Sequence, residues 1–219
     1  GHGPLLSRVA GKAAELGAAP AAVTFDTHPE NLIFGSPMPL INSPLDRAEL
    51  MRRYYGIREV IVAHFDDRMM HMPWEDFITE FLVKEHGAVH LVAGHDFHFG
   101  YKGEGNPDRL REKCARLGVG CDIIPKVELD GITISSTYIR TLLAQGEIER
   151  ANYFLGHPHT LTDTVHHGKK LGSTLGFPTV NLHFPPGVLV PAYGVYATRV
   201  WFENGESRCA VTNVGVRPT

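Results

Sequence analysis

The sequence predicts an α/β fold, a parallel sheet covered by helices on both faces, followed by a smaller, mostly β unit. Three observations carry this reading. Through the first two-thirds, short apolar runs alternate with helical periodicities, and strands separated by helices of this length join as parallel neighbours. Caps, prolines and glycines punctuate the helical stretches where starts and stops are needed. Beyond Gly156 the helical period ends, Gly and Pro become frequent, and a hairpin signal follows. The expected units are residues 1–156 and 157–219.

The elements follow in order. Pro4 to Leu16 repeats apolar residues on one face and is stopped by Gly17. Ala21 to Phe25 is a short apolar strand. Ser43-Pro44 offers an N-cap and a first-turn proline, with Leu45, Leu50 and Met51 expected on the buried side of the helix that follows. Ile57 to Phe65 reads as a strand, Pro73 to His86 as a helix, and Val89 to Ala93 as a strand. Asn106-Pro107 opens a helix that runs to Leu117 and ends at Gly118, and Val119 to Ile124 returns to strand. In the second unit Gly194 to Phe202 and Arg208 to Thr212 read as strands around a two-residue Asn204-Gly205 turn. That unit is expected to be a small barrel or sandwich.

Composition narrows the function. A net charge of -3 supplies no basic face for a nucleic-acid backbone. No apolar run approaches the length of a membrane span, and no signal-peptide pattern opens the chain. Three cysteines without C-x-x-C spacing point away from a disulfide framework or structural zinc and toward a reducing, cytoplasmic compartment. Thirteen histidines are scattered, with no H-E-x-x-H pair.

Four constellations could carry chemistry, each with a plainer reading beside it. Gly1-His2 precedes a helix whose free N–H groups would face an anion, although a terminal Gly-His is more often a cloning scar or a frayed end. Gly94 to Tyr101 leaves a strand, with Phe97, Phe99 and Tyr101 two apart and Asp96 as a polar handle. In an extended backbone three rings would share one side and stack on a planar ligand, or they would cap the core. Ser135, Ser136 and Thr137 begin a helix, and Arg140 falls one turn later. N-capping explains one hydroxyl, while hydroxyls, N–H groups and a guanidinium together suit a polyphosphate. Finally, Gly168-Lys169-Lys170-Leu171-Gly172 could wrap phosphates ahead of Thr179 and Asn181. Those two oxygens face one way in an extended segment and suit Mg²⁺, and a solvated hairpin is the alternative.

Taken together, these segments resemble the bacterial bifunctional riboflavin kinase/FMN adenylyltransferase (FAD synthetase) family. Gly1-His2 resembles the end of an H-x-G-H motif, and Thr24 to Pro29 resembles T-F-D-P-H-P. Gly94 to Gly100 resembles G-x-[DN]-F-x-F-G, and Ser135 to Arg140 resembles S-S-T-x-I-R. Leu155-Gly156 matches the close of the family's first domain. Gly176 to Asn181 resembles G-F-P-T-x-N, and Asn213 to Thr219 resembles N-x-G-x-R-P-T.

The resemblance implies a Rossmann-like nucleotidyltransferase domain over 1–156 and part of an all-β riboflavin kinase barrel over 157–219. It implies His2 and Arg140 as catalytic residues. Gly1, His2, Ser135, Ser136, Thr137, Arg140, Gly168, Lys169 and Gly172 would hold nucleotide phosphates. His28, Asp96, Phe97 and Phe99 would shape the flavin site, and Thr179 and Asn181 would bind Mg²⁺. ATP, FMN and riboflavin would be substrates and FAD a product, with small molecules as the partners and neither nucleic acid nor membrane among them.

Against the family pattern, the chain begins inside the first motif and stops before the segment that carries the kinase's catalytic Glu. It therefore reads as a piece of a longer protein. Thr27 stands where the family usually has Pro, and His95 where an apolar residue is commoner. Another nucleotidyltransferase of the same superfamily, or a flavin-binding protein with decayed catalysis, are the alternatives.

Overall fold

The computed structural model describes residues 2–29, 38–166 and 179–216. The order of elements follows the sequence reading closely. Helix α1 (Gly3–Leu16) ends at Gly17 with φ 64°, and β1 (Ala21–Phe25) follows. Helix α2 (Pro44–Tyr55) starts where Ser43 accepts the Asp46 N–H through its hydroxyl. Then come β2 (Glu59–Ala63), the single turn α3 (Asp67–Met70) and α4, which begins at Trp74–Asp76 and continues as Phe77–Glu85. Strand β3 (His90–Gly94), helix α5 (Pro107–Leu117) and strand β4 (Gly120–Ile124) follow. Asn106 caps α5 by accepting the Arg109 N–H, and Gly118 closes it at φ 69°.

Three local expectations are corrected and one element is added. Leu45 is 64% exposed rather than buried. The face of α2 that turns inward carries Asp46 and Leu50, one turn apart, because Asp46 is drawn in by its bond to the Ser43 cap. The stretch Phe77–Glu85 winds as a π-helix rather than with the 3.6 period. A short hairpin, β5 (Glu128–Leu129) with β6 (Ile132–Thr133), turns at Asp130-Gly131 and precedes α6 (Ser136–Gln145) and α7 (Ile148–Leu155). The last hairpin, β7 (Gly194–Trp201) with β8 (Ser207–Val214), is joined by three residues rather than two. Phe202 and Glu206 still pair, and Gly205 takes the left-handed position at φ 84°. A three-residue loop with a left-handed glycine is the next commonest hairpin connection after the two-residue turns.

The parallel sheet forms as two separate pairs. Strand β1 pairs with β2 from Ala21↔Glu59 to Phe25↔Ala63. Strand β3 pairs with β4 from His90↔Gly120 to Gly94↔Ile124. The two pairs do not join edge to edge: every residue of β1 and of β3 lines one cleft between them, with α1 along it. The main core lies beneath, where Phe77, Ile78, Phe81, Ala93, Phe99, Leu110 and Cys114 pack together. Burial pushes the Cys114 thiol up to about 12, so it stays a neutral packing group. A second cluster joins α6 and α7 through Ile139, Leu142, Leu143, Ala151 and Phe154.

The chain past α7 is tied back to the first part by backbone bonds. Leu40 pairs in parallel with Val188, and the Ala192 N–H donates to Leu143 O at 3.0 Å. Strands β7 and β8 form a regular antiparallel ladder of eight pairs, which gives the second region its β character. Among the described residues no helix is long and apolar enough to cross a membrane.

Candidate functional site

Ligands of parallel α/β sheets gather beyond the carboxyl ends of the strands. Here β1 ends into Asp26–Pro29, β3 into His95–His98 and β4 into Pro125–Val127. The N-terminal ends of α1 and α6 approach the same place. His2, Thr27, His28, Arg47, His95, Asp96, Phe97, Lys126, Ser135, Ser136 and Arg140 all line the cleft.

His2 is the N-cap residue of α1, although its side chain caps nothing. Its ring is accessible to solvent, yet the concave walls surround it. That desolvation, with the positive charge of Arg47, lowers its pKa below the ordinary 6.5, while Asp96 pulls the other way. The imidazole is therefore neutral at pH 7 and able to gain a proton when an anion arrives.

Arg47 is a site residue that the sequence did not single out. One charged residue on an amphipathic helix carries no motif. In the fold its guanidinium reaches from α2 across the end of β1, donating to Thr24 Oγ1, to Phe25 O at 3.1 Å and to Asn42 O at 3.5 Å. Burial lowers its pKa from the ordinary value, but a guanidinium keeps its charge in a protein. It fixes the loop that carries His28 and places a cation in the wall. Asp26 does related work: Oδ1 accepts the Phe65 N–H at 3.2 Å and Oδ2 meets His64 Nδ1. The ends of β1 and β2 are thereby held side by side.

The aromatic loop divides its duties. Phe97 lines the cleft, and Asp96 beside it is exposed. Phe99 is 6% exposed and sits in the core, its ring 5.0 Å from Phe97 and 5.5 Å from Phe77. Tyr101 turns away to His71. The three rings therefore do not form one platform: Phe97 faces the cleft and Phe99 backs it. Two glycines make this possible. A Cβ at Gly105 would lie 2.5 Å from the Phe99 ring, and one at Gly100 would lie 2.5 Å from the Trp74 backbone.

At α6 the Ser135 hydroxyl accepts the Tyr138 N–H at 3.2 Å, so capping is one of its tasks. Ser136 follows on the first turn and lines the cleft. Arg140 lines it too, held by an Nε bond to Pro39 O at 2.8 Å. Thr137 is exposed and does not reach the lining.

Thr179 and Asn181 lie in the second region, away from this cleft. Asn181 pairs with His166 as an isolated bridge, accepting its N–H at 2.9 Å and donating its side-chain amide to His166 O at 3.4 Å. Thr179 is exposed. Gly1, Gly168, Lys169 and Gly172, the other expected phosphate contacts, lie outside the described residues.

Comparison with known proteins agrees with the motif order. The FAD synthetase family matches residues 1–138, and the riboflavin kinase family matches residues 155–219. A bifunctional riboflavin kinase/FMN adenylyltransferase of Pseudomonas fluorescens is 34% identical over 219 residues, covering 100% of this chain and 70% of the relative. One from Haemophilus influenzae is 35% identical over 224 residues, covering 100% of this chain and 71% of the relative. The Escherichia coli K12 enzyme is 37% identical over 166 residues, which is 75% of this chain and 52% of that protein. The crystal structure of a macrolide-efflux protein from Streptococcus pneumoniae superposes with a TM-score of 0.78 at 29% identity, covering 98% of this chain and 69% of that one. With both domains matched and relatives aligned along its whole length, this chain belongs to the bifunctional riboflavin kinase/FMN adenylyltransferase family.

Proposed function

We infer that this chain serves FAD biosynthesis, adenylylating FMN with ATP to give FAD and pyrophosphate and phosphorylating riboflavin with ATP to give FMN. One observation carries the assignment of the first reaction to the cleft. Four separate segments, containing His2, His28, Asp96–Phe97 and Ser135–Arg140, border the one cleft that runs along β1 and β3. In this reaction a phosphate oxygen of FMN attacks the α-phosphorus of ATP, and the bond to the departing pyrophosphate breaks. The attacking oxygen is already anionic, so the site needs no strong base. It needs alignment and neutralisation of charge.

The residues divide accordingly. Ser135, Ser136 and the first N–H groups of α6 receive the triphosphate, with Arg140 beside them. Thr137, exposed on the same turn, borders the phosphates from outside. His2 and the N-terminus of α1 meet the phosphates from the opposite wall. His2 enters neutral and gains a proton as the anion raises its pKa. Phe97 offers its ring to the flavin, with His28 and Asp96 shaping the rim, and Phe99 acts from behind by holding Phe97.

For the kinase reaction, residues 157–219 are the working unit and residues 1–156 the adenylyl-transfer unit. Thr179 and Asn181 supply oxygen donors of the kind Mg²⁺ takes in company with nucleotide phosphates. The Asn181 amide nitrogen donates to His166 O at 3.4 Å, an arrangement compatible with Oδ1 serving as the ligand. The bound ion would neutralise charge on the transferred phosphoryl group. Gly168, Lys169 and Gly172 belong to the same phosphate-binding stretch. The efflux label on the pneumococcal structure has no counterpart in this reading, which rests on small-molecule substrates and a cytoplasmic setting.

Assaying both reactions on two variants tests the assignment. Arg140→Ala should weaken ATP use in FAD formation by about 1.5–3 kcal/mol, the worth of a charge-assisted hydrogen bond, with FMN binding nearly intact. Asn181→Ala should abolish riboflavin phosphorylation and spare FMN adenylylation. Equal loss of both activities from Asn181→Ala, in a protein that still melts cooperatively, would refute two independent sites.

A further inference from the structure

Asp163, His166 and His183 lie together in the second region, outside the cleft and outside every motif named above. Their three donor atoms lie within 4.8 Å of one another. His166 Nε2 is 3.1 Å from Asp163 Oδ2, and His183 Nδ1 is 4.0 Å from the same oxygen. Two imidazole nitrogens and a carboxylate oxygen thus face one point at the surface.

We propose that these residues form a zinc-binding site with a Zn–His₂Asp donor set. Donors bound at 2.0–2.2 Å to one tetrahedral ion lie roughly 3.4 Å apart. The Asp163–His166 and Asp163–His183 separations bracket that value, and all three donors lie within 4.8 Å of one another, so side-chain rotations can close the site.

The backbone prepares the arrangement. His166 donates its N–H to Asn181 O at 2.9 Å, which sets the 163–166 segment against the 181–183 segment. His183 follows two residues after Asn181 in the chain. The carboxylate is positioned from both ends, since Oδ2 accepts the His183 backbone N–H at 2.6 Å and Oδ1 accepts the Thr164 N–H at 2.8 Å. These two bonds fix the orientation of the Asp163 carboxylate.

The donor set decides which ion binds. Mg²⁺ prefers an all-oxygen shell and keeps its waters, whereas imidazole suits Zn²⁺ and its neighbours in the first transition row. The site is therefore chemically separate from the Mg²⁺ role of Thr179 and Asn181, although Asn181 is bonded to His166. Three protein ligands leave a fourth position open. With side-chain exposures of 47% for His166 and 67% for His183, that position faces solvent and takes water or an anionic oxygen.

The alternative is an Asp163 carboxylate that merely pairs with two surface imidazoles. Calorimetric titration of the protein with Zn²⁺ in excess Mg²⁺ separates the two. The expected result is one site per chain that survives the Mg²⁺. His183→Ala should weaken it by more than the roughly 10–100-fold that changes in a metal's outer shell typically cost. His166→Ala combined with His183→Ala should remove it. Co²⁺ used as a probe should give the visible absorption of a tetrahedral centre in the unaltered protein and lose it in the double variant. All the replaced side chains are exposed, so unchanged melting should accompany the loss. A Zn²⁺ isotherm that is the same in the double variant, or the absence of any site in the unaltered protein, overturns the proposal.

Discussion

Arg47 shows how much one side chain contributes without belonging to a motif. Its guanidinium is shared between the Thr24 hydroxyl and the Phe25 carbonyl, at the point where β1 hands over to the His28 loop. Thr24 is 9% exposed, so losing this partner would leave a buried hydroxyl with less to bond. Arg47→Met keeps the apolar stem and removes the charge. We expect a loss of about 1.5–3 kcal/mol, the range for hydrogen bonds to charged groups, read as a lower urea midpoint at unchanged slope. ATP affinity should fall as well, because a cation leaves the wall of the cleft. An unchanged midpoint would mean that the bonds to Thr24 and Phe25 add nothing net.

At the scale of elements, the loop from Gly94 to Gly105 joins the cleft wall to the core. Phe97 and Phe99 stack with planes 19° apart, but only the first borders the cleft. The two rings should therefore separate experimentally. Phe99→Ala removes a core ring and should cost roughly 3–5 kcal/mol in chemical unfolding. Phe97→Leu should leave most of the stability and weaken FMN in a direct titration. Should Phe97→Leu bind FMN normally, its ring only packs, and the flavin lies elsewhere in the cleft. Helix α6 has a similar double character, with Ser135 both capping the helix and lining the cleft beside Ser136 and Arg140.

On the scale of the whole molecule, the passage from α7 into the second region is pinned by His159. Its Nε2 meets Ile41 O at 3.1 Å, and its N–H donates to Asn152 Oδ1 at 2.7 Å. Asn42, 8% exposed, adds a bond to Thr160 O. Burial lowers the His159 pKa below 6.5, outweighing the bond to Ile41. The folded state thus binds fewer protons than the unfolded chain as pH falls through 6.5. Stability from this group is full above that pH and is lost as pH falls toward the folded value. His2 acts in the same direction. His64, raised by Asp26, acts in the opposite one, but it is largely exposed and counts for little. Urea unfolding at several pH values between 7.5 and 5 should show a steeper decline in the unaltered protein than in His159→Gln. Parallel curves would remove His159 as the source.

The sequence by itself determined which stretches become helices and strands, because those signals are local. Ser43, Asn106 and Ser135 cap where hydroxyl and amide side chains reach the next turn, and Gly17 and Gly118 stop helices in a conformation other residues resist. It also carried the family, since the motifs lie in fixed order along the chain. Tertiary structure alone decided which members of a motif face the same space. Phe97 and Phe99 are identical residues two apart, and only packing against Phe77 sends one of them into the core. Arg47 became a cleft residue because α2 crosses the end of β1. Asp163, His166 and His183 became neighbours because a backbone bridge between His166 and Asn181 brings together positions up to 20 residues apart. Local capping energies are written in adjacent residues, whereas convergence of distant side chains exists only once burial and backbone pairing have set the path of the chain.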